Sequence, residues 1–187
     1  MLRQLLKLSS LPTRCWALAW SLYRLYGIRL IGPPDEHIWY FAYGANMQDS
    51  AFRDWRGMRP IEWRPARLPG YRLRFDVRQF PGRRMAYANL CADAQAEVWG
   101  VIYKIMRREL VRLDATEGIP WSRYRQLWLE AEDIVGNTLR AVTYMAQGGK
   151  EEGDPSLPYL ALMREGARAH GLPERYIDLL HRIEPMR

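Results

Sequence analysis

The sequence predicts an α+β fold, with a small closed or strongly curved sheet flanked by helices. Two kinds of segment point to it. His37 to Tyr43 is a short, aromatic, β-prone run, and Tyr71 to Val77 alternates Tyr71/Leu73/Phe75 against Arg72/Arg74/Asp76 as a half-buried strand does. Helical periodicity, by contrast, is confined to local stretches, of which Met106 to Glu117 is the clearest. Many short strands with helices inserted between and after them favour segregated α+β layers over a parallel α/β sheet.

Taken in order, the first strand breaks at Gly44, and Met47 to Trp55 reads as a short helix with Asn46 as a plausible N-cap. Residues 56–70 are rich in Pro, Gly and Arg and read as connection. After the strand at 71–77 comes a polar loop with Pro81 and Gly82. Met85 to Leu90 and Glu97 to Ile105 are two further strands, with Gly100 marking a bulge or a close backbone approach. Met106, Leu110 and Leu113 then form one helical face, and Glu117 falls about 20° from that stripe at the 3.6-residue period. Its carboxylate therefore projects toward the apolar side. Gly118 and Pro120 end the helix. Tyr124 to Glu130 and Leu139 to Met145 alternate as strands around a turn at Val135-Gly136-Asn137. A Gly/Pro/acid loop leads to a helix over 158–170 closed by Gly171, and Pro173 opens a last helix striped by Tyr176, Leu179, Leu180 and Ile183.

Charge divides the chain in two. The net charge is +7, but five of the 28 basic residues (Arg3, Lys7, Arg14, Arg24 and Arg29) lie in residues 1–34, which hold no acidic residue. The rest is nearly balanced, with 23 basic against 21 acidic residues, and no basic stripe marks it as a nucleic-acid binder. The leader at 1–34 lacks the roughly 20 uninterrupted apolar residues of a membrane span. Trp16, Trp20 and Tyr23 share one helical face, so three readings stand: a helix packed on the domain or a second subunit, a helix in a membrane interface, or a targeting peptide. Pro33-Pro34 separates it from a domain over 35–187. Cys15 and Cys91 offer neither a disulfide framework nor a Cys-x-x-Cys pair, which fits a reducing, cytoplasmic setting, with membrane association through the leader as the variant. His37, His170 and His181 lack metal-ligand spacing, so no metal is expected.

Two segments carry chemistry. Tyr40-Phe41-Ala42-Tyr43-Gly44-Ala45-Asn46 is a strand running into a turn whose backbone N–H groups can converge on an anion or carbonyl oxygen. Leu113-Asp114-Ala115-Thr116-Glu117-Gly118, with Tyr124 beyond it, ends a helix in a desolvated carboxylate. An anion-binding turn and such a carboxylate together suit acid–base chemistry on a small charged substrate.

These segments, with Pro155-Ser156-Leu157-Pro158-Tyr159, Gly171-Leu172-Pro173 followed by Tyr176, and Ile183-Glu184-Pro185, occur in an order that resembles the γ-glutamylcyclotransferase family from about Trp39 to Pro185. The resemblance implies a small β-barrel with flanking helices and a cofactor-free reaction. In it the α-amine of a γ-glutamyl compound attacks its own γ-amide carbonyl, giving 5-oxoproline and a free amine. Desolvation raises a carboxyl pKa, which suits a group that takes a proton from the attacking amine and returns it to the leaving one. Glu117 is that candidate; the alternative is a helix-end Glu paired with an arginine such as Arg123. The turn Tyr40–Asn46 is expected to hold the γ-glutamyl moiety and its developing oxyanion. Ala45 stands where the family usually has Ser, which removes a hydroxyl and leaves the N–H. Asn46 either braces the turn or caps a helix. Tyr124 and Tyr159 match positions lining the family's substrate site, although either could be simply core. Arg123 and Arg125 could draw in an anionic substrate or be surface residues. The expected partner is a small γ-glutamyl molecule. Amine- or glutathione-directed activity remains open, as does a catalytically silent binding module of the same fold.

Overall fold

The computed structural model describes residues 32–78, 84–117, 124–146 and 151–186. The leader's aromatic face, Gly118, Pro120, Arg123 and the Pro81-Gly82 loop fall outside these residues. Five strands, β1 (His37–Ala42), β2 (Glu62–Arg78), β3 (Ala86–Met106), β4 (Arg125–Asp133) and β5 (Thr138–Met145), close into a barrel in the order β1-β3-β2-β4-β5. Every pairing is antiparallel except the seam, where β1 and β5 run parallel through Trp39–Ala141 and Tyr40–Val142. Three helices flank it: α1 (Leu110–Thr116), α2 (Leu157–Ala169) and α3 (Glu174–Arg182). None of the helices among the described residues is long and apolar enough to cross a membrane.

Two expected boundaries shift. β2 begins at Glu62, so 62–70 is strand rather than connection. Pro65 and Pro69 argue against a strand because they lack N–H donors, yet β2 pairs with β4 only through Ala66–Asp133 and Arg67–Glu132. A strand with so short a second ladder tolerates prolines. Gly70, at φ +79°, sits at a register shift between Pro69 and Tyr71. The expected strands at 85–90 and 97–105 are one strand: pairing with β2 runs on through Cys91 and Ala92 and resumes at Glu97 beyond the register shift at Gly70.

Phe41, Leu68, Val98 and Ile102 are buried on one face of the barrel wall and Tyr103, Ile105 and Val142 on the other, all essentially without exposure. Gly100 permits a close approach, as a Cβ there would lie 2.2 Å from the Ala42 carbonyl oxygen. Outside the barrel, α1 presents Leu110 and Leu113 inward, and α2 presents Leu160 and Met163. Gly166 of α2 lies directly on the chain after β1; a Cβ there would fall 2.5 Å from the Met47 carbonyl carbon. This contact seats α2 against the turn that carries the candidate site.

Candidate active site

The chain leaves β1 at Ala42 and forms a single 3-10 turn, Ala45–Met47, followed by one wide π-helical turn, Ser50–Trp55. The helix expected over 47–55 is thus broken in two. Gln48 is extended, and its Oε1 accepts the Ala51 N–H at 3.1 Å, the capping service expected of Asn46. Asn46 braces instead: its Nδ2 donates to Tyr40 Oη at 2.7 Å and to Glu117 Oε1 at 3.1 Å.

Glu117 is the capping residue of α1, its N–H bonded to Leu113 O at 2.7 Å. Its side chain is turned inward as the periodicity required, at 14% exposure. Arg56, just past the wide turn, donates Nη2 to Oε1 at 3.1 Å. The carboxylate therefore has a counter-charge, supplied by Arg56; Arg123 lies outside the described residues. Burial lowers the Arg56 pKa, but the Glu117 charge and the neighbouring phenols outweigh it and hold it above the ordinary value. Tyr40 stacks on Phe52 at 5.5 Å between ring centroids, and its pKa is raised first by burial and then by the Glu117 charge.

Asp114, the second residue of the Leu-Asp motif, anchors α1 to the barrel. Its Oδ1 accepts from Tyr144 Oη at 2.6 Å and from Gln126 Nε2 at 2.7 Å. Tyr144 O in turn accepts from Tyr43 Oη at 2.6 Å, so the residue before Gly44 is tied across the seam to β5.

Tyr124 and Tyr159, 35 residues apart in their numbering, meet on the backbone of one residue of β3, Ala88. Tyr124 Oη donates to Ala88 O at 3.1 Å, and Tyr159 Oη accepts the Ala88 N–H at 3.3 Å. The Ala45 N–H also bears on the Tyr159 oxygen, and both donors act against a pKa that burial, with the Glu117 charge, pushes up to about 12. The Tyr159 phenol fits because residue 44 is glycine. The φ of Gly44 is −115°, which any residue adopts, so space rather than backbone freedom requires it.

The structure thus gathers Tyr40, Tyr43, Gly44, Ala45, Asn46, Glu117 and Tyr159 around one half-buried carboxylate and phenol cluster, with Tyr124 joined through Ala88. Phe41 and Ala42 contribute through the backbone: both are buried in the barrel wall, and Phe41 O accepts from Thr143 Oγ1 at 2.8 Å. Arg125 is exposed. Arg56 was hidden from sequence reasoning in an arginine-rich stretch, with nothing local to separate it from Arg53 or Arg59. Among the described residues no cluster of three His, Cys, Asp or Glu side chains is arranged to hold a metal ion.

This architecture is that of the γ-glutamyl cyclotransferase barrels. A solved structure bearing that name superposes with a TM-score of 0.71 at 26% identity, covering 81% of this chain and 90% of that one. Residues 97–180 match the AIG2-like family model. The human protein named γ-glutamylcyclotransferase is 29% identical over 157 residues, covering 82% of each chain, and its mouse counterpart is 27% identical over 159 residues with the same coverage. In sequence and in fold the chain is thus similar to proteins named γ-glutamylcyclotransferase.

Proposed function

We propose that this protein is a γ-glutamylcyclotransferase that converts γ-glutamyl compounds to 5-oxoproline and a free amine. The observation that carries the reading is the half-buried Glu117 carboxylate, held by Asn46 and Arg56 beside the turn at Gly44. The substrate's α-ammonium must lose a proton before its nitrogen can attack. Glu117 accepts that proton, the α-nitrogen bonds to the γ-carbonyl carbon, and the carbonyl oxygen becomes an oxyanion. Collapse of this intermediate breaks the bond to the amide nitrogen. Two protons leave the attacking nitrogen overall and two arrive on the departing one, and Glu117 carries them in turn.

The oxyanion falls to the phenol packed on the turn, Tyr159. Met47 and Gln48 N–H groups are spent inside the turn, on Gly44 O and Ala45 O. The Ala45 and Ala88 N–H groups converge on Tyr159 Oη, so that phenol oxygen occupies the anion-favouring position and its own O–H is the group to offer the substrate oxygen. Aligning the amine and the carbonyl in one bound molecule supplies the remainder, since the ring closure is intramolecular.

The decisive experiment is an assay of 5-oxoproline release over a panel of γ-glutamyl amino acids, glutathione and γ-glutamyl amines. Release from any class supports the reading, and the rate order names the leaving group. A panel with no release, from folded protein, makes the chain a binding module of the same fold.

A further inference from the structure

The Glu117 carboxylate is held asymmetrically. Oε1 accepts from two side chains, Asn46 Nδ2 and Arg56 Nη2, each at 3.1 Å. Among the described residues no hydrogen-bond donor is engaged with Oε2. Arg56 reaches the carboxylate with one terminal nitrogen, while its Nε is buried and, among the described residues, without a partner. A two-nitrogen fork, the common arginine–carboxylate geometry, would engage both oxygens and leave none for chemistry. The pair is also largely withdrawn from solvent, at 21% and 14% side-chain exposure, so it is not an ordinary screened surface contact. Both donors come from the short stretch after β1, 71 and 61 residues from Glu117 in sequence.

We propose that Arg56 is a positioning residue for Glu117: together with Asn46 it ties down Oε1 and presents Oε2 as the one oxygen that takes and returns the proton. The proposal rests on the reading of Glu117 as the acid–base group. A carboxylate free to turn about its last bond exchanges its two oxygens, and each exchange disturbs the alignment on which proton transfer depends. Anchoring one oxygen removes that motion.

Arg56 also links α1 to the turn, so a purely structural role predicts lost stability with unchanged turnover. Full-length wild type, Arg56→Ala and Arg56→Lys are compared for 5-oxoproline release, with the folded fraction measured by thermal unfolding. In Arg56→Ala, kcat per folded molecule is expected to fall about 10²-fold with KM within about threefold, as misaligned proton transfer predicts. Lysine, a point charge on a flexible stem, restores only part. Millimolar guanidinium raises kcat of the alanine variant and leaves the wild type unchanged. Wild-type kcat in folded Arg56→Ala overturns the proposal, and so does a loss borne entirely by KM, which would make Arg56 a substrate ligand. If the wild type itself releases no 5-oxoproline, the reading of the site fails. The positioning is then judged by a crystal structure of Arg56→Ala: Glu117 in more than one orientation supports it, and a single wild-type orientation refutes it.

Discussion

A Cβ placed on Gly44 would lie 2.8 Å from Tyr159 Oη, whereas the next atom of that ring, Cζ, is 3.9 Å away. The hydroxyl alone therefore makes glycine necessary. Gly44→Ala is expected to cost about 1–3 kcal/mol of stability as an overpacked site. Tyr159→Phe in the same chain removes the clashing oxygen and should recover most of it. Thermal or urea unfolding of the two single variants and the double variant checks this; additive effects would show that the contact is not felt. The double variant should remain poorly active, because the phenol hydroxyl is absent.

Glu117→Gln keeps an oxygen for Asn46 and Arg56 but cannot cycle a proton. Turnover is expected to fall about 10²-fold or more, the usual range for a lost general acid–base group. Substrate binding, read by calorimetry on the folded variant, should survive. Wild-type turnover would remove Glu117 from the chemistry.

The free α-amine is the nucleophile in the proposed reaction. N-acetylation of a γ-glutamyl substrate should therefore abolish product formation, and an α-glutamyl isomer should fail because its amine cannot close the five-membered ring. Chromatography of the products decides. Cleavage of the acetylated substrate to an N-acetylglutamate would mean water is the nucleophile.

Asp133 gives a pH prediction away from the site. Burial alone would raise its pKa, but the Asn137 side chain and backbone, Arg64 and the Val135 N–H lower it to about 2. A depressed folded pKa contributes stability above the unfolded value of about 3.9, and that contribution is lost as pH falls through the folded one. Urea unfolding at a series of pH values should show wild type and Asp133→Asn converging between about pH 4 and 2. A gap independent of pH would assign the role of Asp133 to shape alone.

The leader is testable by removal. The Pro34 carbonyl accepts the Arg108 N–H at 3.0 Å and Glu36 pairs with Arg107, so a chain beginning at Gly32 retains every contact described for the domain entry. Its kcat should equal that of the full chain. Full-length protein should bind anionic vesicles in a salt-sensitive way and the shortened one should not, if the leader lies in a membrane interface. Equal indifference to vesicles, with lost stability on shortening, would make it a packed helix.

Legibility in the sequence followed the physics of each segment. β1, β4, β5 and the two C-terminal helices carried their own periodicity and turn residues, and were placed to within three residues at each end. The first half of β2 was obscured by Pro65 and Pro69, whose missing donors matter only where a second ladder needs them. Glu117 was readable because helical phase alone turns it inward. Arg56 was not, since only the fold brings it to a carboxylate 61 residues away. Gly44 announced a turn, but the phenol that demands it comes from a helix more than a hundred residues later.

The parallel seam between β1 and β5 has a kinetic consequence. Only two residue pairs join these strands, reinforced by Thr143 to Phe41 and Tyr43 to Tyr144, across 102 and 101 residues of chain. Contacts so distant in sequence form only after a costly loop closure. The turn bearing Gly44 and Asn46 is fastened by that same seam. Refolding molecules should therefore regain β2–β3 hairpin structure early and regain activity only with the last, slowest phase, when the barrel shuts.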